Sequence, residues 1–380
     1  MSHLELERRV RKTIRELEIA GLRRYLQPPS GIDLSSNDYL ELSTHPLVKQ
    51  RMAEAVMSDG CGSTGSRLLR GNRESFSKVE QQFAAFKNAE SALYFGSGYA
   101  ANLSVMGTFI ERHDLVFSDA HNHASIIDGI RLSRARRIKF PHLDVDAVAR
   151  LLREAAASAQ KFLVTESLFS MDGDFAPLVE YAELCKETNT TLIVDEAHAV
   201  GIYGERGSGF VEQTGTEDAV FLTINTAGKA LGVAGAFVAG PEWAIDFLIQ
   251  RARPFIFSTA PPPPVAAALS ASLTIIQNEP ERRQLLLEKS ALLRKLLTAS
   301  AVDIPASNSQ IIPIVLGDNQ RACSAAEELQ REGFDVRALR PPTVPAGTAR
   351  LRVTVNVGLD EPVLRRFALA IDRICSTVCS

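Results

Sequence analysis

Thr226-Ala227-Gly228-Lys229-Ala230-Leu231-Gly232 is a run of small residues around one lysine, and it follows the apolar run Ala219-Val220-Phe221-Leu222. Further upstream, Val194-Asp195-Glu196-Ala197-His198 places an aspartate where another apolar run ends. A lysine held among small residues is suited to covalent attachment of a carbonyl cofactor, and an aspartate at a strand end is the usual partner of a pyridinium nitrogen. We interpret these two stretches as a site for pyridoxal phosphate.

Strand-like runs alternate with helix-length segments around these stretches. The runs lie at 92–95, 115–117, 137–140, 162–164, 192–194, 220–223 and 236–238. The alternation predicts an α/β fold with a mainly parallel central sheet. Ligands of such sheets bind beyond the carboxyl ends of the strands, which is where the lysine and the aspartate lie in the sequence.

The pattern changes near residue 260, at Pro261-Pro262-Pro263-Pro264. Long helical stretches follow, then strands at 311–315 and 351–355 and a final helix from Glu361. We therefore predict three parts. They are an N-terminal helical arm with an extended segment (1–43), a large cofactor-binding α/β domain (44–260), and connecting helices with a smaller C-terminal α+β domain (261–380).

The amino-acid composition restricts the classes of binding partner that we expect. The 380 residues are 45% hydrophobic, and 42 basic against 45 acidic residues give a net charge of -3. Without long blocks of one sign, the chain offers no signature of a nucleic-acid or membrane surface, so we expect small-molecule partners. We find no secretory signal or membrane-spanning run and expect a cytoplasmic protein. The five cysteines include no CxxC pair, so we expect free thiols and no metal.

Ser97-Gly98-Tyr99-Ala100-Ala101-Asn102 follows a predicted strand and opens a helix. Backbone N–H groups at a helix N-terminus bind phosphate, and glycine permits close approach. The spacing Gly96-x-Gly98-x-x-Ala101, with Asp119 downstream, also fits a dinucleotide site. A dinucleotide would leave Asp195, His198, Thr226 and Lys229 unexplained, so we favour pyridoxal phosphate and keep a dinucleotide oxidoreductase as the alternative.

Three further polar groups follow strands. We expect His123 to stack on a cofactor ring, Ser170 to donate to a cofactor oxygen, and His198 to bond the phenolic oxygen while Asp195 keeps the ring nitrogen protonated. His121 and His123 have the spacing of a metal pair, but the sequence places no carboxylate or thiol cluster beside them.

The motifs, in order along nearly the whole chain, resemble the α-oxoamine synthase family. They are Asn37-Asp38-Tyr39-Leu40, Gly62-Ser63-Thr64-Gly65-Ser66-Arg67-Leu68-Leu69, Ser97-Gly98-Tyr99-Ala100-Ala101-Asn102, His123-Ala124-Ser125-Ile126, Phe169-Ser170-Met171-Asp172-Gly173-Asp174, Asp195-Glu196-Ala197-His198 and Gly228-Lys229-Ala230-Leu231-Gly232. The stretch from Arg340 to Pro345, with Arg350-Leu351-Arg352, is more similar to the biotin-pathway members than to those using glycine or serine.

The resemblance implies a fold-type I pyridoxal phosphate transferase that forms a homodimer with active sites at the subunit interface. It implies that Lys229 binds the cofactor covalently and later acts as general base. It also implies that the backbone of Gly98 and Tyr99, together with Thr226, contacts the cofactor phosphate, and that Ser258 and Thr259 reach the phosphate bound by the partner subunit. His123 would stack on the cofactor ring. The implied substrate contacts are Arg352, Asn37, Arg23 and Thr343. A catalytically inactive partner subunit of this family would be expected to lack this lysine, so the presence of Lys229 argues against that alternative.

The implied reaction is decarboxylative condensation of an amino acid, L-alanine in the biotin pathway, with a pimeloyl thioester of coenzyme A or acyl carrier protein. The sequence departs from the family pattern at two places. Phe76 stands where many relatives have histidine, and Val355-Asn356-Val357-Gly358 replaces a histidine-containing strand end. We expect these departures to affect packing or the acyl channel more than the chemistry.

Overall fold

The computed structural model describes residues 3–156, 158–299 and 304–379, with side chains to residue 375. The strands in chain order are β1 (Ile32–Asp33), β2 (Ser91–Phe95), β3 (Leu115–Asp119), β4 (Arg136–Phe140), β5 (Lys161–Glu166), β6 (Thr191–Asp195), β7 (Val220–Thr226), β8 (Ala236–Gly240), β9 (Ile311–Gly317), β10 (Phe334–Asp335), β11 (Ala338–Leu339) and β12 (Ala349–Thr354). The helices are α1 (His3–Ile19), α2 (Pro46–Asp59), α3 (Glu74–Lys87), α4 (Gly98–Phe109), α5 (Ala124–Ser133), α6 (Val145–Glu154), α7 (Leu178–Thr188), α8 (Phe210–Thr214), α9 (Glu242–Arg251), α10 (Arg253–Ile256), α11 (Pro263–Asn278), α12 (Pro280–Thr298), α13 (Asn319–Arg331) and α14 (Glu361–Cys379).

The chain divides into two compact units. The larger unit comprises 37–170 and 174–286, and the smaller unit comprises 1–36, 171–173 and 287–380. The observed boundary therefore falls within α12, whereas the sequence placed it near residue 260. The reason is that α11 packs against α2 and α3 and so belongs to the larger unit. No helix in the described ranges is long and apolar enough to cross a membrane.

The larger unit is built on a seven-stranded sheet in the order β2-β8-β7-β6-β5-β3-β4. The strands from β7 to β4 pair in parallel, and β8 pairs antiparallel with both β7 and β2. Every predicted strand of this domain is present, so the prediction of an α/β fold with a mainly parallel sheet is confirmed. The carboxyl ends of β3, β5 and β6 are neighbours at one edge, which brings their following loops together.

Alternating residues of the central strands face two separate cores, as the period of two in a β-strand requires. On one face, Val116, Val164 and Ile193 pack in a cluster with residues of α4, α5 and α9. On the other face, Phe117 and Leu163 pack with residues of α6 and α7. A sheet buried on both faces reads as continuous apolar runs, which is why these strands were recognisable from sequence.

The smaller unit contains a three-stranded antiparallel sheet in the order β11-β12-β9, and a short parallel pair of β1 with β10. The predicted strands at 311–315 and 351–355 and the final helix correspond to β9, β12 and α14. Cys61, Cys185, Cys323 and Cys375 are free thiols, and the side chain of Cys379 lies outside the described residues.

Candidate active site

Lys229 lies in the loop after β7, partly buried, with its Nζ 2.7 Å from Nε2 of His198. His198 is buried and follows β6, and its Nδ1 is 2.6 Å from the hydroxyl of Tyr39. The Tyr39 hydroxyl also donates to Oδ1 of Asn37 at 3.0 Å. Three predicted residues, Lys229, His198 and Asn37, are thus joined through Tyr39, for which no role was predicted from the sequence.

Asp195, at the end of β6, is buried and its carboxylate is held from two directions. The side-chain amide of Asn102 donates to Oδ2 at 2.7 Å, and the backbone N–H of Ala197 donates to Oδ1 at 2.9 Å. Asn102 also donates to Oγ of Ser125 at 3.0 Å. Because a buried carboxylate is costly unless bonded, this network fixes the aspartate in place before any ligand arrives.

His123 caps the start of α5 and is joined to the same network. Its Nδ1 lies 2.7 Å from Oγ of Ser125 and accepts from the Ser125 backbone N–H at 3.3 Å. The residue nevertheless keeps substantial solvent exposure, as a group that stacks on a ligand must. Partial burial lowers the pKa of His123, the charge of Lys229 acts in the same direction, and Asp195 opposes them. A neutral imidazole is therefore favoured at neutral pH.

Glu166 is a buried carboxyl group beside Asp195 that the sequence interpretation missed. The two residues are register partners on β5 and β6. Burial, reinforced by the charge of Asp195, raises the pKa of Glu166 to about 8. Its Oε1 is buried without a hydrogen-bond partner among the described residues. The raised pKa of Glu166 favours its neutral, protonated form at neutral pH, since a second buried charge beside Asp195 would be costly.

The predicted phosphate-binding groups come together at the N-terminus of α4. The side chain of Ser97 caps the helix by accepting from the backbone N–H of Ala100 at 3.1 Å. A Cβ on Gly98 would lie 2.6 Å from Oγ1 of Thr226, so only glycine lets this turn approach the end of β7. The side chain of Tyr99 turns away to donate to the carboxylate of Asp128, which leaves its backbone for the predicted contact.

The other predicted residues of the larger unit lie in loops. Ser170 is buried in the turn after β5, which is closed by the bridge between Leu168 and Phe175. Ser258 and Thr259 are exposed in the segment after α10. Their role toward a second subunit remains a prediction.

Asp119, the carboxylate of the dinucleotide alternative, has other partners. It accepts from the backbone N–H of His121 at 2.7 Å and from that of Leu143 at 3.1 Å, and His142 Nδ1 lies 2.8 Å away. The ring of His121 stacks on His142 at 4.0 Å. The structure therefore places one carboxylate, that of Asp119, and the ring of His142 beside His121, where the sequence interpretation expected no cluster of carboxylates or thiols.

Among the predicted substrate residues of the smaller unit, Arg352 is buried on β12, opposite Pro313 of β9. Arg23 pairs with Glu18 at 3.0 Å and lies over the ring of Tyr25. Thr343 is exposed, and its backbone N–H donates to the carbonyl of Arg340 at 3.0 Å. The described contacts of Arg23 and Thr343 are with residues close to them in the chain, namely Glu18, Tyr25 and Arg340.

The two departures from the family pattern are structural. Phe76 is fully buried, stacks on Tyr94 at 6.1 Å, and carries the guanidinium of Arg67 4.8 Å above its ring. Asn356 donates to the carbonyl of Asp33 at 3.0 Å and accepts from the backbone N–H of Gly358 at 3.1 Å. Phe76 thus contributes to packing in the core, and Asn356 forms hydrogen bonds to the neighbouring backbone.

Comparison with known proteins identifies the class. Residues 29–371 match the model of the aminotransferase class I and II family, and the chain belongs to that family. Its relatives include the 8-amino-7-oxononanoate synthase of Anaeromyxobacter dehalogenans strain 2CP-1, 44% identical over 93% of this chain and 92% of the relative.

Solved structures agree with this placement. The 8-amino-7-oxononanoate synthase of Francisella tularensis has a TM-score of 0.80 at 28% identity, covering 92% of this chain and 99% of that chain. A serine palmitoyltransferase variant from S. paucimobilis with pyridoxal phosphate and myriocin bound has a TM-score of 0.93 at 27% identity, covering all of both chains. The predictions of the α-oxoamine synthase family, the fold-type I architecture and a pyridoxal phosphate cofactor are confirmed.

Proposed function

We propose that this protein condenses L-alanine with a pimeloyl thioester, releasing carbon dioxide and the free thiol carrier and giving 8-amino-7-oxononanoate for biotin synthesis. The observation that carries the proposal is the contact of Lys229 Nζ with His198 Nε2 at 2.7 Å, in a chain 44% identical to an 8-amino-7-oxononanoate synthase. The geometry supports the class of chemistry, and the relatives support the choice of substrates.

The residues present fit pyridoxal phosphate. Asp195 is a buried carboxylate without a described cationic partner in its hydrogen-bond network, as a site for a protonated ring nitrogen requires. Gly98 leaves an open helix N-terminus next to the hydroxyl of Thr226, suited to a phosphate. His123 offers an exposed ring beside this edge of the sheet. Bound pyridoxal phosphate supplies an electron sink for the negative charge that develops at the amino acid Cα.

The side chains around it have separate tasks in the proposed reaction. Lys229 would hold the cofactor covalently between turnovers, and its amine, once displaced by the amino acid, would remove the Cα proton. Asp195 would keep the ring nitrogen protonated, with Asn102 holding the carboxylate in position. His198 and Ser170 would bond the phenolic oxygen. His123, kept neutral by its surroundings, would cover one face of the ring.

Substrate contacts are proposed on the family motif and on residue chemistry. A buried arginine such as Arg352 is suited to bind a carboxylate in a bidentate way, and we assign it the carboxylate of the amino acid. Asn37, Arg23 and Thr343 are secondary candidates. We further propose a homodimer in which Ser258 and Thr259 contact the cofactor phosphate of the partner subunit.

Thiol release from pimeloyl-coenzyme A by the cofactor-loaded protein tests the proposal. L-alanine, glycine and L-serine are compared in parallel, and we expect release that depends on L-alanine. Release only with glycine or L-serine would support the proposed class of reaction but show that L-alanine is not the amino-acid substrate. If no amino acid supports release, pimeloyl-acyl carrier protein is substituted as donor, and continued silence would reject the acyltransferase assignment.

A further inference from the structure

Tyr39 lies in a segment that is fixed directly against the Lys229 loop. The carboxylate of Asp38 accepts from the backbone N–H of Leu42 at 3.0 Å and from the hydroxyl of Ser43 at 2.5 Å, which closes the segment into a tight turn. Gly232, at φ +65°, meets this turn so closely that a Cβ would lie 2.4 Å from the backbone nitrogen of Ser43. The position of Tyr39 relative to the lysine loop is therefore set by backbone contact.

The Tyr39 side chain is fully buried and lies next to His198. Its hydroxyl is 2.6 Å from Nδ1 of His198 and 3.0 Å from Oδ1 of Asn37, and the opposite ring nitrogen of His198 is 2.7 Å from Nζ of Lys229. Four side chains thus form a continuous hydrogen-bonded row within the larger unit.

The donors and acceptors in this row have one consistent direction. A protonated lysine has three N–H donors and no acceptor, so Nε2 of His198 must accept from it. A neutral imidazole that accepts at Nε2 carries its proton on Nδ1, which then donates to the oxygen of Tyr39. The single proton of the tyrosine hydroxyl is given to Oδ1 of Asn37, since an amide oxygen can only accept.

We propose that Tyr39, together with Asn37, is a positioning residue that holds neutral His198 with its proton on Nδ1, so that Nε2 can take a proton from Lys229. In that step the N–H bond at Nζ breaks and an N–H bond at Nε2 forms, giving a neutral amine and an imidazolium. Only a neutral amine can attach a carbonyl group or act as a base. The inference rests on the proposed function only in that Lys229 must react as an amine.

The tautomer of His198 can be observed directly in the full-length protein without its cofactor. Uniform ¹⁵N labelling of the histidines, with the His198→Gln variant to assign the signal, distinguishes Nδ1–H from Nε2–H. We expect the Nδ1–H form in the unmodified protein. In Tyr39→Phe, which keeps the ring and removes the hydroxyl, we expect loss of that signal, and Asn37→Leu should act in the same direction. Asn37→Asp, which retains an acceptor oxygen, should preserve the Nδ1–H form.

A second measurement follows the attachment of pyridoxal phosphate to Lys229 by absorbance. We expect Tyr39→Phe to slow attachment about tenfold, the change expected from loss of one buried hydrogen bond. Tyr181→Phe is the matched control, because Tyr181 is also fully buried and its hydroxyl has no partner among the described residues. It should change neither the His198 signal nor the rate of attachment.

An Nε2–H form of His198 in the unmodified protein would overturn the proposal, as would an unchanged Nδ1–H form in Tyr39→Phe. If Tyr39→Phe does not fold cooperatively, Asn37→Leu decides the question by the same signal. Failure of L-alanine to support thiol release would reject the proposed substrate and leave the tautomer result as it stands, so the two failures can be told apart.

Discussion

The candidate cofactor residues of the larger unit and the candidate substrate residues of the smaller unit differ in how firmly they are held. Asp195 and His123 are joined through Asn102 and Ser125 in a buried hydrogen-bond network. In the smaller unit Thr343 is exposed and the side chain of Arg23 is 40% exposed beside Glu18. The groups that must control charge on a cofactor are preorganised by the fold, which is what electrostatic catalysis needs.

Arg352 is the exception within the smaller unit, because it is buried on β12 beside the ion pair of Arg350 with Asp172. A charged group is buried only where its hydrogen bonds are provided. We therefore regard Arg352, more than Arg23 or Thr343, as the candidate for binding the substrate carboxylate. The comparison thus predicts that changes in the larger unit affect the cofactor, whereas a change at Arg352 affects the amino acid.

The largest effect is expected for Lys229→Ala. Loss of the base alone lowers rates by about 10²–10⁴-fold, and loss of covalent attachment adds to this, so thiol release should fall below detection. The visible absorbance of the bound cofactor should change as well. Lys139→Ala, at an exposed lysine of β4, is the control and should behave as the unmodified protein. Turnover that survives in Lys229→Ala would disprove the assigned role.

Arg352→Leu is expected to raise the KM for L-alanine while the affinity for pyridoxal phosphate stays unchanged. A hydrogen bond to a charged group contributes about 1.5–3 kcal/mol, which corresponds to roughly 10–150-fold. Thiol release over a range of L-alanine concentrations measures the effect, and absorbance titration measures the cofactor. Arg350→Leu is a demanding control, because it breaks an ion pair on the same strand and should lower stability without a selective effect on KM. A weaker cofactor affinity in Arg352→Leu would contradict the division of tasks.

A smaller effect is expected for Asn102→Leu. The substitution leaves Oδ2 of Asp195 and Oγ of Ser125 without their bonds to the amide, at a cost of about 1–3 kcal/mol. We expect the affinity for pyridoxal phosphate to fall about tenfold, measured by absorbance titration. Asn225→Leu removes another buried amide, one that donates to Thr223 within β7. If both variants lose stability but only Asn102→Leu loses affinity, the network has the role described.

The sequence predicted most of the larger unit because its strands are buried on both faces and read as apolar runs. It predicted Lys229, His198 and Asp195 as neighbours because all three lie at or just after the carboxyl ends of parallel strands of one sheet. It gave no role to Asn102, Ser125, Glu166 and Tyr39, although three of these lay within the quoted motifs. Their roles depend on contacts between side chains of α4, α5, β5 and the segment before α2. Contacts between elements that are distant in the sequence produce no periodic pattern along the chain.

The smaller unit was predicted less completely. β1, β10 and β11 have two residues each, too few for an alternating pattern to be recognised. The boundary was placed at the proline run because prolines commonly end an element. Here they start α11 instead, since proline is tolerated in the first turn of a helix.

The smallest effect on stability within the larger unit is expected for His142. Its ring contacts carboxylates that lie at the ends of two neighbouring strands or in the loops after them. Its Nδ1 and Nε2 lie 2.8 and 3.0 Å from the carboxylates of Asp119 and Asp174, an arrangement that only the charged imidazolium satisfies by donating at both nitrogens. Burial opposes this charge as the largest single influence, but hydrogen bonds to Asp119 and Asp174 and their charges outweigh it and raise the pKa of His142 to about 10.

The folded-state pKa of His142 lies above the value of about 6.5 in an unfolded chain, so folding takes up a proton there. The stabilisation is complete below about pH 6.5 and is lost as pH rises toward 10. Because the ring is partly open to solvent, we expect a contribution of about 1 kcal/mol after screening. Urea unfolding at pH 6 and pH 10 should show a larger fall in the unmodified protein than in His142→Gln. The exposed His113→Gln should fall like the unmodified protein, and an equal fall in all three would show that His142 is not charged as the contacts require.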